Sequence, residues 1–172
     1  MLPIFQDKMP IGYAGLVSDA SLLDVETGYA TSGNGGVRAG TVVKIAAMDA
    51  NGNKRVDLIS ASADATGYLG AVQFSQYYCD QYGDYPINTP INVVTTGRIW
   101  VFCTDAAKSA VFGDPVGVAA PRTTAGKELT GWVEKGTTTK IPGWFFTGKF
   151  ETDPVGETAI AEIQIRPQLA TA

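Results

Sequence analysis

Apolar positions in this chain fall in short runs with strand-like spacing, separated by Gly, Pro, Asn and Thr, and almost nowhere with the period of an amphipathic helix. The longest run, Ile91 to Cys103 (INVVTTGRIWVFC), is dominated by Val, Ile, Thr and aromatic residues, which suit a pleated surface better than a helix. Side chains alternate along a strand, so Val93, Thr95, Ile99, Val101 and Cys103 share one face and Val94, Thr96, Arg98, Trp100 and Phe102 the other. Neither face is cleanly polar. Such a strand must be covered on both sides, by a second sheet, a barrel wall or a neighbouring subunit. Gly97 interrupts the side-chain row and predicts a bulge or a close backbone approach.

The same reading places the other elements. Residues 1–16 (MLPIFQDKMPIGYAGL) carry apolar side chains, while Pro3 and Pro10 oppose a helix, so an extended N-terminal arm is expected. An apolar arm buries itself along its own domain or across a partner, which makes Leu2, Ile4, Phe5, Ile11, Tyr13 and Leu16 candidate contacts with a partner or subunit. A short strand is expected near Val25 to Thr31, followed by a Gly-rich turn, SGNGG. Thr41 to Met48 and Arg55 to Ile59 form a hairpin around Asn51-Gly52, whose positive backbone angles suit a tight turn. Further strands are predicted at Tyr68 to Phe74, Val116 to Ala119, 131–136, 142–150 and 158–165, with one short helix at Thr104 to Ala110, capped by Thr104. In the last strand Glu162 and Gln164 oppose Ala161, Ile163 and Ile165, so one side is expected to be polar and exposed. The fold class is all-β: a single compact sandwich or barrel of about eight or nine short strands, residues 17–172, preceded by the arm, residues 1–16.

Composition changes this picture chiefly by exclusion. A chain of 172 residues suits one domain with a real core. A net charge of −4 without a basic cluster argues against nucleic acid, and no segment has the length of a membrane span, so a soluble compartment is expected. Histidine is absent, which removes the usual general base and the commonest metal ligand. No GxSxG, HExxH, P-loop or dinucleotide fingerprint occurs, and Asp105, Asp114, Glu128 and Glu134 fall in turns, so the chain reads as a non-enzyme with no cofactor and no metal. Asp49, Asn51 and Asn53 imitate a calcium loop, but Lys54 stands where glycine is needed and Ser60 where the bidentate glutamate is needed. Cys79 and Cys103 lack metal spacing and read as free buried thiols, a disulfide between them being left open. Tyr77, Tyr78, Tyr82 and Tyr85 crowd one segment. They read either as rings capping one end of the core or as a surface recognition loop that presents Tyr78, Tyr82 and Tyr85.

The order of signatures resembles the head decoration, or structural cement, proteins of tailed bacteriophages. The resemblance runs through the arm into Ile11 to Asp19, Gly40 to Val43, Leu69-Gly70-Ala71-Val72, Val93 to Val101 with Gly97-Arg98 and Trp100, Gly113 to Val116, Pro142-Gly143-Trp144-Phe145, and Ala159 to Ile165. The Tyr-rich stretch at 76–86 departs from it. The resemblance implies a non-enzymatic protein, made in the host cytoplasm, that sits on the virion exterior. Its implied partners are the major capsid protein and copies of itself, as trimer or dimer, and not nucleic acid or membrane. Its implied role is to stabilise the mature head against internal pressure. A virion-surface or tail module binding host glycans is the alternative.

Overall fold

The structure, a computed structural model, describes residues 12–31, 37–59, 69–80, 83–120, 122–124, 127–136, 140–152 and 158–166. In chain order the strands are β1 (Val17–Ala30), β2 (Val37–Arg38), β3 (Val42–Met48), β4 (Lys54–Leu58), β5 (Leu69–Val72), β6 (Asp84–Tyr85) and β7 (Pro90–Phe102). A 3-10 helix (Asp105–Ser109) follows, then β8 (Pro115–Val118), β9 (Arg122–Thr124), β10 (Lys127–Leu129), β11 (Val133–Lys135), β12 (Lys140–Thr152) and β13 (Ala159–Ile165). The all-β class holds. The main sheet has nine strands, in the order β1-β4-β3-β5-β7-β13-β12-β8-β11, and two ribbons, β2-β6 and β9-β10, stand apart from it. The expected helix shortens to a single 3-10 segment, and the N-terminal strand, expected only from Val25, begins at Val17. Among the described residues no helix is long and apolar enough to cross a membrane.

Local chemistry sets the hairpin between β3 and β4. The Asp49 carboxylate accepts from the backbone N–H groups of Asn51 and Asn53, each at 2.9 Å, and Gly52 takes φ +79°. The Asn53 side chain and backbone N–H together hold the Asp49 carboxyl below its ordinary range. Of the side chains that imitate a calcium loop, Asp49 and Asn53 are therefore spent on closing the turn.

The pairings close into two rings that share β7. In the first, β1, β4, β3, β5 and β7 follow one another; β1 lies antiparallel to β7 and closes on β4 through a parallel contact, Tyr29 to Arg55 and Ala30 to Val56. In the second, β7, β13, β12, β8 and β11 follow one another, and a parallel bridge from Cys103 to Val133 returns to the end of β7. On one edge of β7 the partner changes from β5, at Val93 and Val94, to β13, from Gly97 onward. Gly97 has φ +129°, and a Cβ there would lie 3.1 Å from Leu23 Cδ1, where β1 is irregular in register. An irregularity thus occurs opposite this glycine, in the pairing with β1, while Gly97 itself pairs regularly with Ile165 of β13, and the close contact is to a side chain.

Two buried cores meet at β7. Ile91 and Val93 join Val43, Val56, Leu58 and Val72 in the first, whereas Ile99, Val101 and Cys103 join Val116, Val133, Ile141, Phe146 and Ile163 in the second, which also takes Val94 with Val42, Ile59 and Ala71 from the first ring. Trp100 and Phe102, on the opposite face, form a third cluster with Ala14 and Ile160, flanked by Leu16 and Trp132; Phe102 and Trp132 stack at 5.4 Å. Both faces of β7 are thus covered, by barrel interior on one side and by the chain's own N-terminal segment on the other.

The half-exposed polar side expected of β13 is not found. Glu162 is 1% exposed, because β7 and β12 flank its strand and residues from β12 and β1 close over it. The Thr147 hydroxyl donates to Glu162 Oε2 at 2.6 Å and Lys149 Nζ to Oε1 at 3.2 Å. Burial alone would raise this carboxyl, but hydrogen bonds from Ser18, Thr147 and Lys149 outweigh it and hold the group below its ordinary value. Gln164 is likewise engaged, accepting from Arg98 Nε at 2.9 Å and donating to the Gly97 carbonyl at 3.2 Å.

Two outcomes follow from this geometry. Gly15 has φ +81°, and a Cβ there would lie 2.7 Å from the Phe74 backbone nitrogen. Gly15→Ala should lower unfolding stability by about 1–3 kcal/mol, seen as a shift of the urea midpoint at constant slope. Because the folded Glu162 carboxyl titrates below the unfolded one, its contribution is present above the unfolded value of about 4.3 and is lost as pH falls through the folded value. Urea midpoints measured from pH 3 to 7 should therefore fall less steeply on the acid side for Glu162→Gln than for the parent; equal slopes would count against an ionised Glu162 in the fold.

Candidate interaction surface

Of the six arm residues proposed from sequence, Tyr13 and Leu16 are described, and Leu2, Ile4, Phe5 and Ile11 lie outside the described residues. Residues 12–16 run along β7 and are hydrogen-bonded to it: Gly15 N–H donates to the Trp100 carbonyl at 2.8 Å, and Trp100 N–H to the Leu16 carbonyl at 2.9 Å. The Gly15 carbonyl also accepts from Phe74 N–H at 3.0 Å. Gly12 lies flat on the Trp100 indole, where a Cβ would come within 2.3 Å of the ring, so only glycine fits. Leu16 packs on the Trp100–Phe102 cluster, and the half-exposed Tyr13 ring meets Phe74 edge-on at 5.5 Å. The chain therefore joins the barrel over Trp100, with residues 12–16 acting as its cover. Trp100 Nε1, buried beneath them, has no hydrogen-bond partner among the described residues.

The tyrosines separate. Tyr77 and Tyr78 are 83% and 53% exposed on a turn held by the Ser75 carbonyl, which accepts from Tyr78 N–H, Cys79 N–H and Cys79 Sγ. Tyr82 lies outside the described residues. Tyr85 corrects the expectation of a surface ring: it belongs to the first core, and its hydroxyl donates to the Gln73 carbonyl at 2.7 Å. In β6 Asp84 faces outward, so its neighbour Tyr85 must face inward, and burial together with nearby Cys79 pushes its phenol well above the ordinary range.

Sequence reasoning missed a second exposed apolar feature. Val111 and Phe112 sit on the turn between the 3-10 helix and β8 and are 64% and 72% exposed. The Phe112 ring stands edge-on to Phe145 at 6.3 Å, and the Arg166 guanidinium lies 4.9 Å from the Phe145 centroid. The available signal was an aromatic residue directly ahead of Gly113-Asp114-Pro115, a context in which a large apolar side chain has little core to enter. Asp114 anchors this turn by accepting from Lys135 Nζ at 2.7 Å and Val111 N–H at 2.9 Å, and the same two bonds hold its carboxyl below the ordinary range.

Among the described residues no three His, Cys, Asp or Glu side chains gather as a metal ion would require. The surface offers two exposed aromatic turns, at Tyr77–Tyr78 and at Phe112, beside the segment 12–16 that covers Trp100.

The fold has a solved counterpart. A chain of the capsid of Myoviridae phage XM1 superposes with a TM-score of 0.66 at 17% identity, covering 98% of this chain and 99% of that one. No curated protein matches. The family model described as Structural cement protein (E217 gp24/Pam3 gp6) matches residues 3–166. This chain belongs to the phage structural cement protein family, and its role is that of a structural component of the phage capsid.

Both cysteines are free; Cys103 is buried, and Cys79 is half-buried rather than buried as expected. Burial pushes the Cys103 thiol up to about 12. Ellman's reagent on the native protein should react with Cys79 and leave Cys103 until the chain is unfolded. Two fast thiols would mean that the end of β7 opens readily.

Proposed function

We propose that this protein binds the outer surface of the mature major-capsid lattice and stabilises the head against the pressure of packaged DNA, without catalysis. The observation that carries the reading is the entry of the chain over Trp100. Residues 12–16 are hydrogen-bonded by their main chain to β7, and in this proposal tension on the residues ahead of them is passed to the central strand. Membership of the cement family supports the same reading. In this proposal Leu2, Ile4, Phe5 and Ile11 lie against a capsid subunit or a symmetry mate, adding main-chain hydrogen bonds as an edge strand does. Copies of the chain associate as a closed trimer or dimer, and lattice symmetry multiplies weak single contacts. The glycan reading retains Tyr77 and Tyr78 as exposed stacking surfaces but loses Tyr85 to the core.

Because residues 12–16 cover Trp100, the test removes only residues 2–11. Purified full-length protein should co-sediment with expanded heads at a fixed copy number and not with unexpanded procapsids, and the truncated protein should stay folded by circular dichroism yet fail to pellet with expanded heads. Undiminished binding of the truncated protein would refute the arm's role. Failure of the full-length protein to bind either particle would refute the capsid-lattice reading itself.

A further inference from the structure

We propose that the Phe112 turn of one copy docks on the Tyr77–Tyr78 turn of a second copy of this chain, so that copies join head to tail into a closed ring. This gives the self-association named above a specific surface, and it does not depend on capsid binding.

The Phe112 turn is built as a fixed knob. Gly113 N–H donates to the Phe146 carbonyl and Phe146 N–H to the Asp114 carbonyl, both at 2.9 Å, so the turn is bonded to β12 from both sides. Asp114 Oδ2 closes it by accepting from Val111 N–H, and Gly113 takes φ +89° with nothing within 4 Å of where a Cβ would stand. One exposed apolar residue needs no explanation, but Val111 and Phe112 side by side, backed by Phe145 and held by main-chain bonds, lose little freedom when covered. Cations flank the knob. Arg166 lies over Phe145, and the half-exposed Lys149 side chain runs beside the knob to its buried carboxylate partner, Glu162.

The Tyr77–Tyr78 turn has the complementary chemistry. Its two exposed rings are held by the Ser75 carbonyl, and the exposed carboxylates Asp80 and Asp84 follow, Asp84 lying 3.9 Å from Arg38. Asp80 is fixed in turn, its Oδ1 accepting from Asp84 N–H at 2.9 Å. Aromatic faces beside carboxylates suit an aromatic knob beside Arg and Lys, through ring packing and cation–π contact. The knob is carried by the second barrel, between the 3-10 helix and β8, and the tyrosine turn follows β5 of the first. Two different patches meeting across copies make a heterologous contact, which closes into a ring when the rotation allows.

The test is sedimentation velocity of the full chain across protein concentration, at low and high salt. The parent should sediment as a closed oligomer whose association weakens with salt. Phe112→Ser and the double variant Tyr77→Ser, Tyr78→Ser should each dissociate at concentrations on the order of tenfold or more higher than the parent, with unchanged circular dichroism. Mixing the two variants should give a one-to-one dimer that grows no further, since one intact knob then meets one intact tyrosine turn. Arg166→Glu should impair association and regain it on mixing with Asp80→Lys. A parent that is monomeric throughout, variants that keep the parent oligomer, or a mixture that forms no dimer would each overturn the proposal. Loss of head binding by Phe112→Ser with its oligomer intact would also overturn it, and would place the knob against the capsid instead.

Discussion

Burial of β7 on both faces is the constraint on which the rest of the molecule depends. Its side chains are apolar on each side, so no single sheet with a wet face can contain it. Two rings solve this by using different halves of the strand. The first holds Ile91 and Val93, the second holds Ile99, Val101 and Cys103, and the change of partner from β5 to β13 is complete by Gly97. Each ring is closed by one parallel contact, at Tyr29–Ala30 and at Cys103, as an odd number of otherwise antiparallel strands requires. Closure also leaves the main sheet with little open edge on which unrelated chains could pair.

The outer face of β7 ties the fold to the function. Trp100 and Phe102 would lie bare without residues 12–16, Trp132 and the Arg38 guanidinium, which stands 4.8 Å over Phe102. The segment that covers them follows directly on residues 1–11 of the sequence. In the proposed capsid role, load on those residues would reach β7 through the hydrogen bonds of Gly15 and Leu16 to Trp100. Of the two exposed aromatic turns, the Phe112 turn is bonded back to β12 and the Tyr77–Tyr78 turn closes on its own Ser75 carbonyl, so each presents its rings on a fixed backbone.

Much of the fold was legible because it rests on local rules. The hairpin at Asp49 to Asn53, the strand at Ile91 to Cys103 and the special role of Gly97 all follow from turn chemistry or period-two alternation. The first half of β1 was not legible: Val17 to Asp24 mixes Ser, Asp and Leu without alternation, because its register against Arg98 and Thr96 is repeatedly shifted and neighbouring side chains need not alternate. Glu162 was misread for a different reason. Its polarity implies solvent, yet its partners come from Ser18 in β1 and Thr147 and Lys149 in β12, far away in sequence. Tyr85 fails similarly, since a tyrosine among Gly and Asp looks exposed until the inward register of β6 is known.

What the sequence by itself determined is the class of the protein: an all-β chain with a doubly buried central strand, in an order of signatures shared with phage cement proteins. These are properties of single segments, set by backbone preference and side-chain periodicity within a few residues. Only the tertiary structure decided that the strands close into two rings sharing β7, that residues 12–16 belong against Trp100, and which aromatics face outward. Those outcomes depend on which distant strands pair and in what register. A shift of one residue exchanges the buried and exposed faces of a strand, and no local pattern records it.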